Sequence, residues 1–308
     1  FAVAYIEEGV ALRRAGVKTP ILVLHPQPVN FRKAIEFNLE PSLYSERVLN
    51  AFVAAAAEMK RKKFPVHIKF NTGLNRLGFQ NKASKKIAFG LSKENTIKVK
   101  SIFSHLAASE DSEERAFTLQ QIDQFSEICE AFESGYGKLP LRHLCNTSGV
   151  VNYPGAAFDM VRCGIGLYGY DNRIGCSSDL LPVLSLKSVI SQIHELKKGD
   201  SVGYNRAYVA DAKKTIATLP LGHADGIGRQ YGNGVGYVSV QNQKAPIVGN
   251  VCMDMIMIDV SDIDCQEGDH VVVFDAVTTA EHFAESGKTI SYELLTALSR
   301  RIKRRLVE

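Results

Sequence analysis

The stretch "VHIKFNTGLNRLGF" at residues 66–79 sets two cations close together, Lys69 inside an apolar run and Arg76 just past a Gly-containing turn. Side chains alternate along a strand, so Val66, Ile68 and Phe70 share one face while His67, Lys69 and Asn71 share the other. Three later β-like runs also end on polar groups: "VKSIFSH" on His105, "LRHLCNT" on Asn146 and Thr147, and "MVRCGIG" carries Arg162. Lys69, Arg76, Arg162 and His105 would gather positive charge with few carboxylates among them, which suits an anionic ligand. Thr147 offers a hydroxyl, and "CGIG" at residues 163–166 offers backbone N–H groups, a set that fits a phosphate. A phosphorylated cofactor or a phosphosugar is the expected ligand. Taken singly, each residue also has a plain structural reading: His105 as a hydrogen-bonded histidine, Lys69 and Arg76 as ion-pair partners, "CNTSG" as a helix cap.

The elements that must position these groups follow from the pattern. Up to about residue 170, seven short runs read as strands: "FAVA", "ILVL", "PSLYS", "VHIKF", "VKSIFSHL", "LRHLCN" and "MVRCGIGLYGY". Helical patterns lie between several of them, clearest in "SERVLNAFVAAAAEMKRK" and "SEERAFTLQQIDQFSEICEAFES", each opening on a Ser suited to an N-cap. Alternating strands and helices predict parallel pairing, and seven units predict most of a (β/α)8 barrel whose upper rim would collect the polar strand ends. A doubly wound sheet competes, but no GxGxxG follows the first strand. Beyond about residue 179 the runs "VLSLKSVISQIHEL", "TIATLPLG", "VGYVSV", "APIVGNVCMDMIMIDVS" and "HVVVF" are separated by turns rather than helices, which predicts an antiparallel β domain. The final "SYELLTALSRRIKRRLV" reads as a Ser-capped helix whose basic end suits the macrodipole. The expected division is therefore 1–178 for the barrel and 179–308 for the β domain with its terminal helix.

Composition narrows the function classes. The 308 residues are 45% hydrophobic, and 37 basic against 33 acidic residues are too balanced for a nucleic-acid or membrane surface. Six cysteines without CxxC spacing suggest neither a zinc site nor a disulfide framework, so a reducing cytoplasm is expected. No run is long and apolar enough to span a bilayer. Phe1 opens directly on a strand-like run, as a cut chain would.

In order and in approximate spacing, "HIKFNTGLNRLGF", "SIFSHLAASED", "LCNTSG", "DMVRCGIGLYGY", "SVGYNRAY", "LGHADGIGR", "GNVCMDM" and "ISYELLTALSRRIKR" resemble alanine racemases along the whole chain. The resemblance implies a barrel that binds pyridoxal 5′-phosphate (PLP), a β domain completing the partner subunit's site in a homodimer, and interconversion of L- and D-alanine for peptidoglycan. It implies that Arg162 bonds the PLP pyridine nitrogen, and that Asn146, Thr147, Gly164, Ile165 and Tyr292 belong to the cofactor site, the last four around the phosphate. His105 would lie against the ring and bond the catalytic tyrosine, matched by Tyr204. Arg76 would contact the PLP phenolate oxygen and the substrate carboxylate, Met253 would bind substrate through its backbone, and Arg229 would support the site. Lys69 matches a lysine that often carries a carbamate.

Several letters depart from the resembled pattern. The lysine that anchors PLP covalently, in a segment like "KADAYGHG", has no match, because "FAVAYIEEGVALRRAG" aligns with the second strand and helix. The expected fold is thus a barrel lacking its first β/α unit, the polypeptide alone is expected to be inactive, and its abrupt start is compatible with a cut from a fusion to a muramoyl-peptide ligase. Asn71 stands where an Asp is usual, and His223 where a tyrosine narrows the entrance. Two other readings remain: a non-catalytic module binding PLP or a partner, and a PLP amino-acid decarboxylase of the same layout. Arg162 speaks against the decarboxylase, which favours an acidic partner for the ring nitrogen.

Overall fold

Strand β4 (Phe64–Asn71) shows why the first half of the chain forms a parallel sheet. Val66, Ile68 and Phe70 are fully buried on one face, and His67 and Lys69 are buried on the other. A strand covered on both faces belongs inside a parallel sheet. It pairs in parallel with β3 (Glu40–Leu43) on one side and β6 (Ile97–Phe103) on the other. The sheet runs β1 (Ala2–Val3), β2 (Leu22–Val23), β3, β4, β6 and β7 (Leu141–His143), with β5 (Phe79–Gln80) pairing β4 off this path. Helices α1 (Ile6–Arg14), α2 (Phe31–Glu36), α3 (Glu46–Glu58), α4 (Ser84–Ser92), α5 (Arg115–Tyr136) and α6 (Thr147–Asn152) return the chain. Their apolar sides, Phe31, Phe52, Phe125 and Phe132 among them, close one continuous core over the sheet.

This computed structural model describes residues 1–171 and 180–307. The chain divides into two compact units, residues 1–164 and, among the described residues, 165–171 with 180–307. The boundary expected at 178/179 lies outside the described residues, as does Cys176.

Two readings of the first unit need correction. "MVRCGIGLYGY" is not a seventh strand: it touches β7 through one bridge, Met160 to His143, and then turns tightly over Ile165–Tyr168. Helix α5 starts at Arg115 rather than at Ser112, because the Asp111 carboxylate takes the Glu113 N–H at 2.9 Å and closes a turn ahead of the helix. The other expected cap holds, since Ser45 Oγ accepts the Val48 N–H at 3.3 Å and opens α3. Among the described residues the sheet ends at β1 and β7 without pairing between them, so it is a parallel half-barrel and not a closed ring.

The second unit is antiparallel as expected. Its sheet runs β8 (Leu186–Val189), β16 (His270–Phe274), β13 (Tyr237–Val240), β14 (Gln243–Val248), β15 (Ile256–Asp259), β12 (Lys214–Leu219) and β9 (Gln192–Leu196), beside a small pair β10 (Ser201–Val202) and β11 (Tyr208–Val209). An additional helix, α7 (Ala280–Ser286), is capped by Thr279, and the last helix, α8 (Ser291–Ala297), is only seven residues long. Ser291 is its first helical residue, not its cap. The basic tail leaves the helix at Leu298, where Arg301 binds Asp225 through two bonds of 2.6 and 2.7 Å and reaches Asp254 at 2.7 Å. Those carboxylates compete with helix continuation. Arg304 then donates to the Leu298 carbonyl at 3.0 Å, closing the frayed end.

Candidate active site

The inner face of the half-barrel is polar below its rim. Arg162 lies at its centre, donating from Nη1 to His143 Nδ1 at 2.5 Å and from Nη2 to the Ser104 and Leu144 carbonyls at 2.7 and 2.9 Å and to His105 Nδ1 at 3.1 Å. Its Nε–H has no acceptor among the described residues. Burial lowers the Arg162 guanidinium to about 10, still a cation at neutral pH. Behind it, His143 Nε2 meets Ser101 Oγ at 2.8 Å, Ser101 meets His67 Nδ1 at 2.5 Å, and His67 Nε2 meets Glu40 Oε2 at 2.9 Å. Burial works against the Glu40 charge, but the hydrogen bond from His67, with Lys100 and Arg13 further off, holds its carboxyl below the usual range. Glu40, Ser101 and His143 were missed by sequence reasoning, which expected a dry interior. Part of the signal was present, as polar letters on the β4 face of His67 and at Ser101, its register partner on β6.

Lys69 is 5% exposed, with its ammonium 5.7 Å from the centre of the Phe103 ring, and the Arg162 guanidinium lies 5.3 Å from the same ring. Burial first, then the charges of Arg76 and Arg162, press the Lys69 amine down to about 8. His105 corrects an expectation. Burial, reinforced by Arg162, Arg76 and Lys69, drives it down to about 3, so it is neutral and is not one of the cations. Because Arg162 donates to its Nδ1, the His105 proton sits on Nε2.

Arg76 is exposed on the loop after β4. Asn71 shapes that loop, accepting the N–H groups of Gly73 and Asn75 at 3.2 and 2.9 Å and donating to Asn75 Oδ1 at 2.8 Å. On the way back the chain crosses β4 so closely that a Cβ on Gly78 would lie 2.4 Å from the Phe70 carbonyl carbon. At the other end of the site, Asn146 caps α6 by accepting the Gly149 N–H at 2.9 Å, and its oxygen also takes the Ser109 hydroxyl at 2.8 Å. The cap reading of "CNTSG" is therefore correct, and it coexists with a site reading: Thr147, the first helical residue, accepts the Gly164 N–H at 3.3 Å. Lys69, Arg76, His105 and Arg162 come together, and Thr147 meets Gly164.

The remaining expected residues belong to the second unit. Ile165 opens the turn Ile165–Tyr168, and Tyr292 is half-buried on α8. Tyr204 is 72% exposed on a loop where Gly203, Asn205 and Arg206 all take positive φ, and its carbonyl accepts Asn250 Nδ2 at 3.1 Å. Met253 is exposed, its carbonyl accepting the Ala224 N–H, while the Cys252 carbonyl accepts that of His223, both at 3.0 Å. Gly222 permits this approach, because a Cβ there would meet both carbonyl oxygens at 2.4 Å. Arg229 and His223 are exposed at the starts of two short turns.

Residues 1–172 match the N-terminal domain of alanine racemase and residues 183–306 match its C-terminal domain. The chain belongs to the alanine racemase family. The alanine racemase of Sorangium cellulosum is 34% identical over 98% of this chain and 83% of its own length, and that of Halothermothrix orenii is 35% identical over 98% and 81%. Among solved structures, the Clostridium difficile alanine racemase superposes with a TM-score of 0.88 at 31% identity, covering 97% of this chain and 79% of that one. The Bartonella henselae alanine racemase, solved with covalently bound pyridoxal phosphate, superposes at 0.89 with 28% identity, covering 100% and 84%. The residues present fit the group that the family implies: the Arg162 Nε–H is an unspent donor for a ring nitrogen, Lys69 and Arg76 are cations for anionic oxygens, and the Thr147 hydroxyl and Gly164 N–H, now bonded to each other, sit together where a phosphate would take both. No helix of the described residues is long and apolar enough to cross a membrane.

Proposed function

We propose that this protein is a PLP-dependent alanine racemase that interconverts L- and D-alanine, acting in the cytoplasm in the supply of D-alanine for peptidoglycan. The observation that carries this reading is Arg162, bound by two neutral histidines and two carbonyls with its Nε–H left over. Bound PLP supplies an electron sink next to the substrate α-carbon. A guanidinium donating to its ring nitrogen cannot give up the proton, so the sink is kept shallow and proton return is favoured over side reactions. The same donor-only contact disfavours a decarboxylase, which calls for an acidic partner.

The other roles follow the family resemblance. Thr147 and the N–H groups of Gly164 and Ile165, with the Tyr292 hydroxyl, hold the phosphate, while Asn146 holds Thr147 in place through the cap. Arg76 binds the cofactor phenolate oxygen and the substrate carboxylate. Lys69, whose amine is near 8, has a neutral fraction at physiological pH that can take up CO2; the resulting carbamate would turn a third cation into an anion that orients Arg76. Tyr204 exchanges the α-proton on the L-alanine side, and its exposure suits a base delivered to the other subunit of a homodimer. The Met253 N–H contributes to substrate binding, Arg229 supports the tyrosine, and His223 shapes the entrance.

Circular dichroism of L-alanine incubated with protein and PLP tests the reading. Loss of rotation in a dimeric preparation, abolished in Tyr204→Phe by roughly a hundredfold or more, supports it. PLP binding without turnover would leave the binding-module reading.

A further inference from the structure

With His67 neutral, the hydrogen-bonded chain from Arg162 to Glu40 has one proton arrangement. A guanidinium only donates, so His143 Nδ1 accepts and the His143 proton sits on Nε2. That N–H must donate to Ser101 Oγ, and the single hydroxyl hydrogen then turns to His67 Nδ1. His67 is left with its proton on Nε2, facing Glu40, a carboxylate that only accepts. Starting from Glu40 gives the same assignment. Every donor points from the cation toward the anion, so the three neutral links are polarised in one sense. Ring flips are opposed as well, since His143 stacks on Phe103 at 4.7 Å with planes 6° apart.

We infer that Glu40 is a remote positioning residue for Arg162, delivering its negative charge through His67, Ser101 and His143 to the back of the guanidinium. The inference rests on the racemase reading only for its catalytic consequence; the relay itself is a property of the polypeptide. Lys69, Arg76 and Arg162 lie together, and Glu40 is a carboxylate that the hydrogen bonds tie to Arg162 among them. With the back of Arg162 held this way, its Nε–H stays fixed for a ring acceptor. Glu40 touches neither substrate nor cofactor in this role.

Nitrogen-15 NMR of the ligand-free 308-residue chain tests the inference. The wild-type protein is expected to show both His67 and His143 with the proton on Nε2. Glu40→Gln keeps the shape and an acceptor oxygen but removes the charge, and Ser101→Ala cuts the relay in the middle. Each should move the His143 Nδ1 signal toward that of an unbonded ring nitrogen and speed exchange of the Arg162 guanidinium hydrogens by about tenfold, the worth of a hydrogen bond to a charged group. The double variant should add nothing to Ser101→Ala alone. A His143 proton on Nδ1, or an unchanged His143 signal in Glu40→Gln, overturns the relay; the first of these needs no variant to fold. Failure of the racemase reading shows in the dichroism assay and leaves these signals as they are.

Discussion

Asn71 grips Asn75 from both sides, accepting its backbone N–H at 2.9 Å and donating to its side-chain oxygen at 2.8 Å. A carboxylate could do the first but not the second, which gives the asparagine a reason in this motif. Asn71→Asp should therefore cost about 1–2 kcal/mol in urea denaturation, because two acceptor oxygens would face each other. Asn71→Ala should cost a similar amount and raise KM for alanine more than it lowers kcat, since the loop it closes carries Arg76. An unchanged KM would detach Arg76 from substrate binding.

Gly78 governs the same loop from its far end. Its φ of 134° is open to glycine, and the crossing backbone of Phe70 and Asn71 leaves no room for a Cβ. Gly78→Ala should destabilise the protein by at least about 2 kcal/mol, combining backbone strain with a clash that the strand cannot relieve. Thermal unfolding measures this directly. Gly137→Ala makes a useful comparison, because its φ is also positive but nothing lies near its Cβ, so only the strain should register.

Lys69 predicts a rising stability above neutral pH. Its amine is held near 8 in the folded protein against an ordinary value of 10.5, so between those values the unfolded chain binds a proton that the folded chain does not. Stability then increases with pH across that window, and the full penalty of the buried ammonium applies below about 8. Lys69→Met, similar in volume and uncharged, should gain about 1–3 kcal/mol at pH 7 and flatten the slope between pH 8 and 10. Bicarbonate should stabilise the wild type at pH 8 and leave Lys69→Met unaffected, if the lysine takes up CO2.

The sequence pattern conveyed the architecture better than the interior. Six of the seven expected first-half strands form, because Val66, Ile68 and Phe70 and their counterparts are set by period-two burial, which is a local signal. "MVRCGIGLYGY" failed because Arg162 is held by side-chain bonds to residues 18 to 58 positions away, information that no local window contains. The rim residues Lys69, Arg76, His105 and Arg162 were legible from their types at strand ends. Their charges were not: His105 is neutral only because burial and three neighbouring cations act on it together. Glu40 and Ser101 were invisible for a different reason, since each looks like an ordinary surface letter until the fold sets Ser101 opposite His67 in the sheet and brings the Glu40 carboxylate to its ring.

His143 sets the behaviour in acid. It is fully buried, and burial aided by the Arg162 cation holds it down to about 2, against 6.5 for a free imidazole. Below pH 6.5 the unfolded chain takes up a proton at this residue that the folded chain refuses, so stability falls as pH falls, by up to about 1.4 kcal/mol per pH unit. His105, held near 3, acts in the same direction. Glu40 adds a later loss: its carboxyl lies below 4.5 in the fold, so the stability it contributes is present above 4.5 and disappears as pH drops through its folded value. Urea midpoints measured from pH 7 to pH 4 should therefore decline steadily in the wild type. In His143→Gln the decline between pH 6.5 and 5 should be shallower although the protein is less stable at pH 7, because glutamine cannot both stack on Phe103 and accept from Arg162 in the same geometry. An equal slope in the two proteins would mean that His143 already titrates in the fold, which its single lone pair toward Arg162 forbids.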